Sequence, residues 1–318
     1  MRKLKFVSLL VLLALLLSGV SAAVLADEPP PTPEVAIPNL EGLMSSGDEP
    51  SGGATGGAVD DPNTVIQLTA QQQQELARKH ALVARIWELK AKGYSTEEIQ
   101  RTLNVEVGFS PKGGNPTHGY CSMGLWKEPE SEPNWCGPGS GTAVISNWRS
   151  VPPSGYSDAM AYMTYLAEDA CKQGQTSPNC TGMIAYNSQG TKITRSSDWI
   201  YIVNHEIGTW WYEKRYPKDI DDYKYMLEAD IYWCSHPLNN SVETKWLPSW
   251  GAHSCAHYVA ANRYSFQSNE VNDEVKYGDS APNSATGYGN PFGWHWIHID
   301  TFYNEHIDTS NGGNLVIW

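Results

Sequence analysis

The chain has 318 residues, with 22 Lys and Arg against 35 Asp and Glu and a formal net charge of −13. No cluster of Lys and Arg is present to neutralise a phosphate backbone, so composition excludes nucleic acid as the partner. Thirteen Trp and seventeen Tyr against five Phe predict an interior walled by aromatic rings that keep a polar edge.

The chain opens on the basic residues Met1-Arg2-Lys3-Leu4-Lys5, runs through apolar Phe6 to Leu17, and exits through small residues, Ser18 to Ala26. This is the pattern of a secretory signal peptide, assigned to residues 1–26, with cleavage expected after Ala26 or a few residues earlier. The apolar run is short for a membrane span, and no cysteine follows for a lipid anchor. A secreted, extracellular protein is expected, with retention by an uncleaved N-terminal anchor as the alternative. Residues 27–63 are dense in Pro, Gly, Ser and acids, as in Glu28-Pro29-Pro30-Pro31 and Gly52-Gly53-Ala54-Thr55-Gly56-Gly57. Such a segment cannot bury a core and reads as a disordered linker.

Residues 64–112 read as a helical hairpin. Leu76, Leu82, Val83, Ile86, Trp87 and Leu89 recur near helical spacing until Gly93, and Ser95 or Thr96 with Glu97-Glu98 caps a second helix through Leu103. The pair is too small to stand alone, so it is expected to dock on the main domain or occlude its cleft, as an appendage or as a pro-segment.

Residues 113–318 form the main domain. Candidate helices are Gly139 to Trp148, Asp158 to Cys171 and Ile220 to Glu228; candidate strands are Trp199 to Asn204, Ala256 to Tyr264, Glu274 to Gly278 and Trp294 to Ile299. Helices precede strands, which is the α+β order.

Three segments carry chemistry. In Asn134-Trp135-Cys136-Gly137-Pro138-Gly139 a cysteine stands at the mouth of a helix, where backbone N–H groups and the helix dipole favour a thiolate. Pro138 fits the first turn, and Gly137 would let a substrate backbone approach. His257 opens the small and β-branched run Tyr258-Val259-Ala260-Ala261, where it can serve as a base to a neighbouring element. Asp279 ends the run Val275-Lys276-Tyr277-Gly278 at the turn Ser280-Ala281-Pro282, placed to orient an imidazole.

The order Cys, His, Asp and the residues around each resemble the bacteriocin-processing-peptidase-like branch of the papain superfamily. The matching segments are Trp135-Cys136-Gly137-Pro138, His257-Tyr258-Val259 and Asp279-Ser280-Ala281-Pro282, and Leu247-Pro248-Ser249-Trp250 resembles secreted members. The resemblance covers roughly Gly119 to the C-terminus. It implies a papain-like cysteine-hydrolase fold, in which the helix bearing Cys136 packs on an antiparallel sheet bearing His257 and Asp279, here preceded by the helical hairpin. It also implies a catalytic set of Cys136, His257 and Asp279 with no cofactor. The family places a Gln six residues before the cysteine to help hold the oxyanion. That position is Glu130, whose carboxylate would repel an oxyanion, so either Asn134 or another amide completes the hole or catalysis is impaired.

Six cysteines are present: Cys121, Cys136, Cys171, Cys180, Cys234 and Cys255. With Cys136 as nucleophile, Cys171–Cys180 and Cys234–Cys255 are the expected disulfides of an exported protein and Cys121 is left over. His205-Glu206 imitates a zincin motif, but Thr209 stands where the second ligand would be. His253, Cys255 and His257, and the group His295, His298 and His306, are too weak as patterns to predict a metal. Three functional classes follow: a secreted thiol peptidase acting on a peptide or protein, a cell-wall amidase or acyl transferase acting on a stem peptide, and a papain-like binding domain that has lost catalysis. A monomer is expected. The aromatic set Trp210, Trp211, Tyr212, Tyr216, Tyr223 and Tyr225 either lines a subsite or packs.

Overall fold

A computed structural model describes residues 57–59, 61, 64–109, 116–128, 134–245, 247, 250, 254–267, 272–282, 291–307 and 315–318. The signal peptide and most of the linker lie outside them. Among the described residues no helix is long and apolar enough to cross a membrane.

The hairpin forms where its caps dictate. Helix α1 (Ala70–Ala91) begins on a reciprocal box between Thr69 and Gln72, and α2 (Thr96–Val107) on one between Ser95 and Glu98. Gly108, at φ +68°, closes α2 in the left-handed conformation. Val83, Ile86 and Leu89 of α1 and Ile99 and Leu103 of α2 are buried at spacings of three and four residues and join the main core.

The rest of the chain is mixed α+β. Helices α3 (Cys136–Trp148), α4 (Ala159–Glu168), α5 (Ser196–Ile207) and α6 (Ile220–Leu227), the last prolonged by a π-helical stretch (Glu228–Cys234), accompany two sheets. The larger sheet is built on β6 (Leu238–Glu243), β7 (Ala256–Ser265), β8 (Glu274–Asp279) and β9 (Gly293–His298), antiparallel and adjacent in that order. Beyond β6 lie β10 (Val316–Ile317) and β5 (Lys214–Arg215), and β2 (His118–Tyr120) pairs with the far end of β7. The smaller sheet has β4 (Lys192–Arg195) between β3 (Ile184–Tyr186) and β1 (Ala58–Val59), with β1 parallel to β4.

Alternation along β7 divides the core. Val259 and Ala261 pack with Val275 and Tyr277 of β8 against the hairpin and the π-helical stretch, while Tyr258 and Ala260 pack against α3, α4 and α5. The hairpin therefore docks, from Val83 onward, on the face opposite α3 and does not cover the mouth of that helix.

Three expectations need correction. The segment Trp199–Asn204 is helix, not strand. Its Trp, Ile and Val favour strand locally, but Asp61 caps the first turn, accepting from the Ser197 N–H at 3.0 Å, and Gly208 ends the helix at φ +74°. The last linker residues, 57–59 and 61, are ordered against the domain through that cap and the β1 pairing. Cys171–Cys180 is a disulfide, but Cys234 and Cys255 are both thiols. They flank opposite ends of β6: Cys234 precedes it, and the Cys255 carbonyl accepts from Thr244 N–H beyond its other end. A strand of this length holds them about 20 Å apart, whereas a disulfide needs Cα atoms within about 7 Å.

An ion pair is sealed beneath α1. Lys79 and Asp230 are both fully buried with Nζ and Oδ2 3.3 Å apart, and Nζ lies 4.0 Å from the Trp318 ring and 4.9 Å from that of Trp211. Burial pulls the Lys79 ammonium below its ordinary value and pushes Asp230 up to about 6. Replacing one partner strands the other in the core, so Lys79→Ala is expected to cost about 3–5 kcal/mol in a urea unfolding curve. The paired change of Lys79→Met with Asp230→Leu is expected to recover most of that loss.

Candidate active site

Helix α3 is assembled from small residues, and every residue from Cys136 to Ile145 is buried. A Cβ on Gly137 would sit 2.4 Å from the Thr194 side chain, and one on Gly139 would sit 2.2 Å from Ser280 Oγ. The helix mouth is thus wedged between β4 and the end of β8. The notch at Gly137, expected to admit a substrate backbone, is filled by Thr194. Asn134 turns the chain into the helix at φ +68°, and Gly139 N–H donates to Trp135 O at 2.9 Å. Cys136, the first helical residue, is 1% exposed.

Strands β7 and β8 deliver the other two predicted residues. His257 and Asp279 are both buried, with Nε2 and Oδ1 2.9 Å apart. Asp279 accepts two further hydrogen bonds: the Trp250 indole N–H donates to Oδ2 at 2.8 Å and the Ala281 N–H to Oδ1 at 2.9 Å. The Trp250 ring also leans over His257, centroids 5.0 Å apart at 56°. With Nε2 engaged by Asp279, Nδ1 is the ring nitrogen left for the thiol. It is buried with no other hydrogen-bond partner among the described residues, and the thiol and imidazole each shift the other's titration. Cys136, His257 and Asp279 therefore come together.

The oxyanion candidates divide. Asn134 is buried two residues before the thiol, while Glu130 lies outside the described residues. A different acid, Glu128, is at the site. Its N–H donates to Ser280 O at 2.8 Å, and its carboxyl lies beside Gly139, with Oε2 buried and without a hydrogen-bond partner among the described residues. Sequence reasoning assigned neither Glu128 nor Trp250 to the site. Trp250 had a signal in the segment Leu247-Pro248-Ser249-Trp250, and Glu128 had none beyond its nearness to Glu130.

Electrostatics leave the site protonated. Burial works to lower the His257 pKa, but the Asp279 carboxylate and the Cys136 sulfur together outweigh it and hold the imidazole up to about 10. Burial pushes the Cys136 thiol above its ordinary value despite the opposing pull of His257. Burial, and then the neighbouring Asp279, push the Glu128 carboxyl well above its own. At neutral pH the imidazole is held protonated, and the Cys136 thiol and Glu128 carboxyl are both shifted toward their neutral forms.

Glu206 is tied into the fold, and the aromatic set divides between core and surface. Glu206 accepts from Tyr162 and Tyr165 and pairs with Arg149, which accounts for the charged residue in the zincin-like sequence. Trp210, Tyr212 and Tyr223 are core, and Tyr216 is exposed. Among the described residues no three His, Cys, Asp or Glu side chains group as metal ligands.

Two titrations follow. The folded His257 holds its proton well above the ordinary 6.5, so its stabilising contribution is complete below 6.5 and is lost as pH rises through about 10. In Asp279→Asn the carboxylate's pull is lost while burial and the Cys136 contact remain, so the imidazole should fall from about 10. The loss of thermal midpoint that His257 contributes between about pH 6.5 and 10 should then shrink in the variant. Glu128 keeps its proton in the fold while the unfolded chain ionises above about 4.5, so stability falls as pH climbs from there. Glu128→Gln should remove that fall, seen as a larger gain in midpoint over the parent at about pH 7 than at about pH 4.

No protein-family model matches the chain, and no curated protein matches it.

Proposed function

We propose that this chain is a secreted cysteine hydrolase of papain-like fold that cleaves peptide bonds through Cys136, His257 and Asp279. The observation that carries the reading is His257. One ring nitrogen is fixed on a carboxylate held by two further donors, and the other is left to the cysteine at the mouth of α3. A helix packed on an antiparallel sheet, with thiol, imidazole and acid contributed in that order along the chain, supports the papain-like assignment over the mixed α+β description alone.

Attack requires the thiol–imidazolium pair to give up one proton to solvent, leaving a thiolate on Cys136 beside the imidazolium, and the thiolate then adds to the scissile carbonyl carbon. His257, already an imidazolium, donates its proton to the departing amine as the C–N bond breaks, leaving an acyl-thioester on Cys136. His257, now neutral, takes a proton from water as the oxygen adds to the thioester carbonyl. The acid product departs, and one proton returns to the sulfur–imidazole pair. Asp279 holds the ring orientation throughout and stabilises its charge.

The test is hydrolysis of casein and of a peptidoglycan stem peptide, assayed in parallel. Cys136→Ala should abolish turnover and His257→Ala should lower it by about 10²–10⁴-fold. Turnover of the stem peptide without casein assigns the chain to cell-wall amide bonds. Full turnover by Cys136→Ala ends the proposal.

A further inference from the structure

A short strand of the chain runs beside the helix mouth that carries the buried Cys136. Strand β1 lies along the outer edge of β4, with Ala58 opposite Thr194 and Val59 opposite Arg195, and Gly57 O accepts from Thr194 N–H at 2.7 Å. Thr194 is the residue whose side chain fills the notch at Gly137. On its other side β1 meets the two segments that present the reacting groups. A Cβ on Gly57 would lie 2.9 Å from Asn134 Cβ and 3.3 Å from Asn134 O, just before the nucleophile. Val59 O accepts from the hydroxyl of Tyr258, the residue after the base, at 3.4 Å. Ala58 is 1% exposed and belongs to the same packed cluster as Cys136.

Past β1 the chain is pinned. Asp61 accepts from the Ser196 hydroxyl at 2.5 Å and the Ser197 N–H at 3.0 Å, and pairs with Lys214 at 2.8 Å. The cover is otherwise slight. Among the described residues Gly57, the two strand residues and Asp61 make these contacts, and the sequence before them, Gly52-Gly53-Ala54-Thr55-Gly56, brings no apolar side chain larger than alanine.

We infer that the edge of β4 beside Cys136 is a groove that binds extended peptide backbone, and that Gly57, Ala58 and Val59 fill it as an intramolecular inhibitor, anchored by Asp61. An unpaired strand edge recognises a peptide by its main-chain N–H and C=O groups. Here those groups sit within a few residues of the nucleophile and the base, and the chain's own strand has taken the place of a substrate. The inference rests on the hydrolase reading for the meaning of the groove. The covering of Cys136 by β1 can be measured apart from it. Withdrawal of the strand readmits water to the sulfur, which relieves the burial that raises the thiol and so favours thiolate.

The experiment measures the rate at which iodoacetamide alkylates Cys136 in the full chain at neutral pH, located by peptide mapping, together with casein and stem-peptide hydrolysis. Asp61→Ala removes the pin. Gly57→Val leaves the pin and the α5 cap intact but cannot seat against Asn134, so it decides the matter if Asp61→Ala fails to fold. Each is expected to speed alkylation about tenfold or more, Asp61→Ala through the lost cap and ion pair and Gly57→Val through strain at its positive φ and the clash with Asn134. Hydrolysis should rise in step, and a synthetic peptide of residues 51–61 added to Gly57→Val should slow both again. Alkylation at the parent rate in a folded Gly57→Val protein overturns the inference whether or not the parent hydrolyses peptides. Faster alkylation with no hydrolysis of either substrate, reversed by the peptide, keeps the covering strand and overturns the hydrolase reading instead.

Discussion

The site is organised around one buried negative charge. Asp279 is wholly inside the protein, where an unpaired carboxylate would carry a penalty of several kcal/mol. It is held there by the Trp250 indole, the Ala281 N–H and the His257 ring, and hydrogen bonds to a charged group contribute about 1.5–3 kcal/mol each. Everything nearby answers to that charge. The imidazole is kept protonated by it, the Trp250 ring is set over the imidazole by the same bond that satisfies Oδ2, and Glu128 is kept neutral partly because a second carboxylate cannot ionise beside the first.

The second constraint is the closeness with which α3 is packed. Thr194 occupies the space a side chain at 137 would take, and Ser280 the space of one at 139. Trp199 on α5 donates its indole N–H toward Gly137 O and Ser140 Oγ, both at 3.2 Å. These contacts fix the first turn of α3 against β4, α5 and the end of β8. Under the inference drawn above, access to the sulfur would come by movement of β1 rather than of the helix.

Much of this was written locally in the sequence. The hairpin was legible because its caps, Thr69 with Gln72 and Ser95 with Glu98, act within one turn. Strands β7, β8 and β9 were legible because β-branched and aromatic residues alternate there. Cys136, His257 and Asp279 could be chosen because each stands at an element boundary with a distinctive neighbour. What escaped depends on distant partners. Strand β6 reads Leu-Asn-Asn-Ser-Val-Glu, and its polar side chains are tolerated inside because residues such as Tyr223, whose hydroxyl donates to Asn240, meet them there. Helix α5 wins over a strand-favouring composition because Asp61, 135 residues earlier, caps it. Glu128 gives no sign of being interior until β8 is laid beside it.

The cysteines carry a last consequence, for the order in which the protein must be built. A chain exported as proposed would fold under oxidising conditions, and four of its six cysteines, Cys121, Cys136, Cys234 and Cys255, are thiols in the native state. The single disulfide joins residues nine apart, a loop that closes at small entropic cost and needs no other part of the fold. The thiols are protected differently: Cys121, Cys136 and Cys234 are interior, out of reach of an oxidant once the core has closed. Correct chemistry at sulfur therefore depends on a race between collapse of the core and oxidation. A mutation that merely slows folding would be paid for in scrambled disulfides, with the nucleophile among the sulfurs consumed.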